Sequence, residues 1–380
     1  MSSFTALRFH GQSDIRLERV PSLPCGPDEI RIRPGFCGIC GTDLKEFTSG
    51  PIMCPQPGSS HEQTGARLPV ILGHEFSGTV AELGSSVSDV KVGDRVAVMP
   101  NLGDAQFGLS KCAMCEIGKI NLCTKTAYYG LDALSGGFSE EAVVKATNVF
   151  TLPASVPLDL GALVEPLSVA WHMVRISGFQ AGQDALVQGA GPIGLSLLLV
   201  LKVVGARHVV VSEVLKKRAV RAEEFGADAV IDPTSSSSTD KNGDSNPVVA
   251  ACRQLTPGNL GVHVAFDASG LQSTLDTAVA ATRPGGTMFN VAIHSKPLQI
   301  NPNDLVILEK RYIGGIGYTA DDFRAVISAL DKNADFAGKA KKMISGIVLL
   351  EDAVEKAFKG LLENKEDHVK ILVQGSQSQS

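Results

Sequence analysis

Short runs in which apolar and polar residues alternate dominate the chain up to about residue 150. Residues 15–20, 29–33, 76–83 and 95–99 read as strands, the last entered through the turn Val92-Gly93-Asp94. Strands this short and closely spaced predict a barrel-like β domain. Residues 50–68, rich in Pro, Gly, Ser and Gln, read as a long surface loop of the kind that often acts as a lid. From about residue 183 the rhythm changes. Strands at 185–188, 208–212, 262–267 and 287–291 alternate with helices at 193–204, 217–225 and 271–281, which predicts a parallel sheet with right-handed crossovers. The polar run 234–247 interrupts the alternation and reads as a solvated loop without chemistry. A helix at 321–330 and a strand at 369–373 follow.

Composition narrows the reading. A chain of 380 residues is long for one domain and comfortable for two, and 44% hydrophobic with 20% charged residues is a globular balance. A net charge of -5, with no basic stripe, argues against a nucleic-acid partner. The most apolar run, 193–204, is broken by Lys202 and too short to span a bilayer, so no membrane association is expected. The start, Met1-Ser2-Ser3-Phe4, has neither a basic nor an apolar region of an export signal, which makes the cytoplasm the expected compartment. Three of the eight cysteines cluster at Cys112, Cys115 and Cys123, a spacing that suits a metal better than disulfides.

Candidate chemistry begins at Gly189-Ala190-Gly191-Pro192-Ile193-Gly194, placed directly between a strand and a helix. In such a loop Gly189 allows the tight turn, Gly191 lets a pyrophosphate approach the backbone, and Gly194 lets the helix pack on the sheet; the helix N-terminus faces the anion. The pattern is weak alone, but here Glu213 ends the next strand, where a carboxylate binds ribose hydroxyls and repels a 2′-phosphate, favouring NAD over NADP. Lys217 and Arg218 follow closely and weaken that preference, and Arg218 is a further candidate for contact with the cofactor.

Three separated segments offer zinc ligands: the thiol of Cys40, the imidazole of His74 and the carboxylate of Glu165. Three protein ligands and one open position describe a catalytic zinc, which acidifies an alcohol and so promotes hydride departure. Thr42 is placed to accept the alcohol proton, and Asp43 to orient the imidazole of His74. Spacing alone leaves the bland reading open: Cys40 as buried filler and Gly73-His74-Glu75 as an ordinary turn.

The Cys40 segment, Gly73-His74-Glu75, Gly93-Asp94-Arg95-Val96, Glu165-Pro166-Leu167-Ser168 and the Gly189 to Gly194 loop, in this order, resemble the zinc-containing medium-chain dehydrogenase/reductase family along nearly the whole chain. Within it the chain is most similar to the fungal 2,3-butanediol (acetoin) dehydrogenase group, then to sorbitol dehydrogenases, through Gly50-Pro51-Ile52, Gly136-Gly137-Phe138 and residues 163–172. The resemblance implies an α/β protein with a GroES-like β-barrel catalytic domain at 1–163, completed by 316–380, and a Rossmann domain at 164–315. It implies catalytic zinc on Cys40, His74 and Glu165, with Glu75 as alternate ligand. A Glu at position 165, where simple alcohol dehydrogenases carry Cys, favours the polyol and diol branch.

Two departures stand out. Relatives with a structural zinc carry Cys-x2-Cys-x2-Cys-x7-Cys, but Leu109 stands in the first position ahead of Cys112, Cys115 and Cys123, and Leu cannot ligate. Occupied structural zinc is the expectation if another residue such as Asp104 swings in; otherwise three reduced cysteines pack in a lobe. Relatives also often end a proton relay in His where this chain has Lys45, so Lys45 either relays a proton with a depressed pKa or binds cofactor or substrate oxygens.

The expected function is NAD(H)- and zinc-dependent interconversion of a secondary alcohol, a vicinal diol such as 2,3-butanediol or an acetoin-like hydroxyketone, with its ketone, by a homo-oligomer (dimer or tetramer). Alternatives are a sorbitol/xylitol-type polyol dehydrogenase, a dehydrogenase tailoring a secondary metabolite, and a catalytically silent NAD-binding scaffold, which would have no physical need for the Cys40, His74 and Glu165 set.

Overall fold

Six strands pair in parallel in the order Ala229–Ile231, His208–Ser212, Asp184–Gln188, Val262–Asp267, Thr282–Asn290, Arg311–Gly314. Numbered along the chain this is 3-2-1-4-5-6, the doubly wound order whose reversal lies between the first and fourth strands. The structure is a computed structural model that describes residues 2–235, 246–294, 296–364 and 366–375. Its chain divides into two units: this sheet with its helices, Pro166–Tyr318, and a β-rich unit of Met1–Glu165 with Thr319–Ser380.

In the parallel unit, Leu186, Val210, Ala265 and Met288 supply one core with Cys252 and Ala278. The helix Pro192–Val203 follows the first strand and buries Leu195 through Leu201, so its apolar run is a core helix. Among the described residues no helix is long and apolar enough to cross a membrane. The polar run 234–247 needs correcting at its end. Asn246 caps a helix, Pro247–Leu255, by accepting the Val248 and Val249 N–H groups at 3.0 and 3.3 Å, with Pro247 in the first turn where its missing N–H costs nothing. Residues 236–245 of that run lie outside the described residues.

The β-rich unit holds the predicted strands, extended to Asp14–Pro21, Glu29–Gly38 and Glu75–Leu83, with Arg95–Val98. It also has strands the alternation did not reveal, Ser3–Gly11 and Ile344–Leu349 among them. Its seven-stranded sheet places the late strand Lys370–Gln374 between Glu29–Gly38 and Ile344–Leu349. Phe358, from the same late segment, meets Phe47 and Phe138 edge-on at 5.8 Å each, so residues after 319 complete the core begun by the first 165. Residues 50–68 carry neither helix nor strand. The loop is pinned at its start, where the buried carboxylate of Glu46 accepts the Ile52 and Met53 N–H groups at 2.9 and 2.6 Å.

Candidate active site

Cys40 is the N-cap of the helix Gly41–Ser49. Asp43 Oδ2 accepts the Cys40 N–H at 2.8 Å, which closes the first turn and sets the thiol at the positive end of the helix. His74 and Glu75 come from the strand edge opposite: Gly38 pairs with Glu75 across the sheet, and Gly73, at φ +96°, turns the chain into it. A Cβ on Gly73 would run into Cys37 and the Phe138 backbone, so close packing beside the donors demands that glycine, while one on Gly38 would displace the Glu75 carboxylate.

One ligand atom each from Cys40, His74 and Glu75 lies within 4.8 Å of the others. His74 Nδ1 stands 3.5 Å from Asp43 Oδ1, and both atoms are buried without a hydrogen-bond partner among the described residues. Burial disfavours a charged His74 ring, yet the negative charges of Asp43 and Cys40 outweigh it and raise its pKa well above the usual range. Sulfur, nitrogen and carboxylate donors in a buried, anionic pocket with orphaned polar atoms fit a zinc ion.

Sequence reasoning put Glu165 third in this set. The alternate, Glu75, has a carboxylate oxygen in the compact set, and Glu165 is buried at the start of the helix Val164–Ile176. Its charge is felt by Lys370, a residue the sequence reading passed over. Lys370 Nζ donates to both carboxylate oxygens of Glu75 at 2.7 and 2.6 Å and to the Ile39 carbonyl at 3.1 Å, with the side chain 3% exposed. Burial pushes the Lys370 pKa down, but the charges of Glu75 and Cys40 override it and the net shift is upward. The available signal was faint: one lysine in an apolar strand, 295 positions from its partner. Thr42 Oγ1 is 3.8 Å from Cys40 Sγ, whereas Lys45 lies on the exposed side of the helix.

At the dinucleotide loop the three glycines differ as the spacing predicts. Gly189 has φ +94°, a Cβ on Gly194 would collide with the Gly189 carbonyl, and around Gly191 only Arg218 Nη1, at 3.9 Å, comes near. Pro192 and Ile193 open the helix that Gly191 caps. Glu213, buried at the end of its strand, accepts the Ala190 N–H at 2.8 Å and the Val214 and Leu215 N–H groups at 2.8 and 2.9 Å, which ties it to the glycine loop. Asp267 serves as a strand-end cap, accepting from Ser269, Gly270 and Thr274.

Cys112, Cys115 and Cys123 come together elsewhere in the same β-rich unit, and Asp104 joins them, with all four ligand atoms within 4.8 Å of one another. Leu109 does not take part and is 41% exposed.

Residues 26–154 match the alcohol dehydrogenase GroES-like domain and residues 192–332 the zinc-binding dehydrogenase domain. (R,R)-Butanediol dehydrogenase from Saccharomyces cerevisiae is 42% identical over 357 residues, 91% of each chain. The crystal structure of 2R,3R-butanediol dehydrogenase from Bacillus subtilis has a TM-score of 0.88 at 37% identity, covering 98% of this chain and 100% of that one. D-xylulose reductase A from Aspergillus niger is more distant, 32% identical over 356 residues, 93% of this chain and 91% of the relative. The chain therefore belongs to the zinc-containing medium-chain dehydrogenases, oxidoreductases acting on CH–OH groups with zinc and a nicotinamide dinucleotide as cofactors.

Proposed function

We propose that the protein interconverts a vicinal diol such as 2,3-butanediol, or an acetoin-like hydroxyketone, with the corresponding ketone, using NAD(H). The observation that carries this reading is the Cys40, His74 and Glu75 donor set, found in a chain over two-fifths identical (42%) to a butanediol dehydrogenase. Likeness to D-xylulose reductase A supports a polyol dehydrogenase as the second reading, at lower identity. Butanediol, acetoin, xylitol, sorbitol and simple alcohols assayed separately through NADH absorbance test both. A preference for xylitol over butanediol overturns the first.

In this reading Cys40 and His74 hold the zinc with a carboxylate from Glu165, Glu75 being the alternate. When bound, zinc supplies electrophilic stabilisation of charge on the substrate oxygen, and the nicotinamide ring supplies the hydride acceptor. Asp43 orients the His74 ring, Thr42 Oγ1 accepts the hydroxyl proton while passing its own on to ribose hydroxyls and water, and Lys45 binds cofactor or substrate oxygens. Gly189, Gly191, Pro192, Ile193 and Gly194 form the pyrophosphate turn, Glu213 takes the ribose hydroxyls and Arg218 flanks them. The catalytic domain is 1–163 with 316–380, and the dinucleotide domain is 164–315. A second zinc resides on Cys112, Cys115 and Cys123.

The enzyme is a cytoplasmic homo-oligomer. Support for association comes from the sheet-edge strand Arg311–Gly314, where Tyr312 is exposed beside exposed Val306, Ile307 and Ile316; an apolar edge invites a second copy. Light scattering on Ile307→Asp tests this: the variant is monomeric if the edge is the interface. All eight cysteines are free, which suits a reducing compartment.

A further inference from the structure

We propose that Asp104 is the fourth ligand of the second zinc, making a three-thiolate, one-carboxylate site in place of four thiolates. This rests on the reading that the cysteine cluster holds zinc, and it identifies what completes the shell. The ligand order is Asp-x7-Cys-x2-Cys-x7-Cys, with the carboxylate five positions ahead of Leu109.

Three observations point to a cation. The first is distance. Zinc–sulfur bonds of about 2.3 Å put tetrahedral ligand atoms about 3.8 Å apart, and the four atoms here already lie within 4.8 Å of one another. The second is charge. Asp104 is 2% exposed, and no lysine or arginine pairs with it among the described residues; its carboxylate faces three thiol groups instead. A carboxylate gathered with three thiol groups and no basic side chain is the mixed oxygen and sulfur donor set that zinc takes. Three thiolates and a carboxylate carry the same formal charge as four thiolates, whereas Leu109 in the first position would leave the shell one anion short.

The third observation is the lobe itself. The strands Asn101–Leu102 and Ala127–Tyr128 pair at its base, and between Asp104 and Cys123 not one residue is buried. Leu109, Ile117, Ile120 and Leu122 all face solvent there. Without an apolar core of its own, such a segment needs a crosslink to hold one conformation. Asp104 also organises the shell before metal arrives: its Oδ2 accepts the Cys112 N–H at 2.7 Å, fixing the carboxylate against the turn that carries Cys112 and Cys115.

Asp104→Asn separates ligation from turn capping, because the amide oxygen still accepts the Cys112 N–H but the charge is gone. Zinc per chain, measured by elemental analysis on the purified full-length protein, is expected to be two for the wild type and one for Asp104→Asn and Cys123→Ser. Release to a chromophoric chelator should accelerate by about a hundredfold where Asp104→Asn still retains zinc. Substitution with cobalt in a Cys40→Ser background should give a thiolate charge-transfer band that grows by one third in Asp104→Cys, as three thiolates become four. The proposal is overturned if Asp104→Asn holds two zinc ions and releases them at the wild-type rate, or if Cys123→Ser loses none. Loss of one zinc in Asp104→Asn but none in Cys40→Ser counts against the catalytic-zinc reading alone.

Discussion

The two donor clusters of the β-rich unit are built in opposite ways. Cys40, His74 and Glu75 are held by what surrounds them: a reciprocal helix cap, a close-packed sheet edge, a glycine that admits no Cβ, and a buried lysine. The cluster of Asp104 with Cys112, Cys115 and Cys123 closes a segment without a single buried side chain between its outer members. The fold shapes the first cluster, and metal would shape the segment around the second. Chemistry needs donors that stay in place while a substrate comes and goes, whereas a crosslink only has to be occupied.

That contrast can be broken or sharpened. The largest expected effect is catalytic: Cys40→Ser should lower kcat/KM by about 10⁴-fold, the scale of losing a metal's several kcal/mol of stabilisation, while melting temperature and NADH binding change little. Full turnover by a metal-free variant would sink the mechanism. Next is Lys370→Met, which leaves Glu75 buried and unpaired; it should cost about 3–5 kcal/mol in a urea denaturation experiment. Much of that loss should return in the double variant with Glu75→Leu. If the single change is silent, the scaffold around the first cluster is not held as described. Glu213→Ser should shift the NAD-to-NADP preference by about tenfold towards NADP, judged from kcat/KM with each cofactor, roughly the value of one good hydrogen bond to a charged group. An unchanged ratio would remove Glu213 from cofactor selection.

The smallest effect concerns pH. Burial opposes ionisation of Asp184, but hydrogen bonds from Arg207 and His208 outweigh it and hold its carboxyl below the ordinary value. A lowered folded-state pKa means the contribution is complete above the ordinary Asp pKa of about 3.9 and is lost as pH falls through the lower folded value. Because Arg207 is 39% exposed, Asp184→Asn should cost only about 1 kcal/mol near neutrality, and less in acid. A cost that grows on acidification would contradict the sign.

Sequence reached furthest where a local rule governs. The turn at Gly189, the core helix after it and the thiol before Thr42 each depend on neighbours within a few residues, and all are where the spacing put them. The strand Ser3–Gly11 escaped because its buried positions include Phe4, Ala6, Leu7 and Phe9, which breaks strict alternation. The helix Pro247–Leu255 was masked by a polar run whose last two residues are its cap and first turn. Lys370 depends on a pairing with Glu75 across 295 positions, which no local pattern encodes. Asp104 was legible only as a guess, since its distance from Cys112 in the chain differs from the usual spacing.

The strand Lys370–Gln374 sets a timetable for synthesis. The parallel unit is one continuous stretch, and a ribosome releases all of it before residue 370 is made. The β-rich unit must wait, its central sheet open at the place this strand will fill, with Glu75 lacking its counter-ion until then. A polypeptide cut short before Lys370 would carry every zinc donor and the whole nucleotide turn yet present an unfinished pocket. Competence at the reacting end is thereby reserved for molecules translated at least that far.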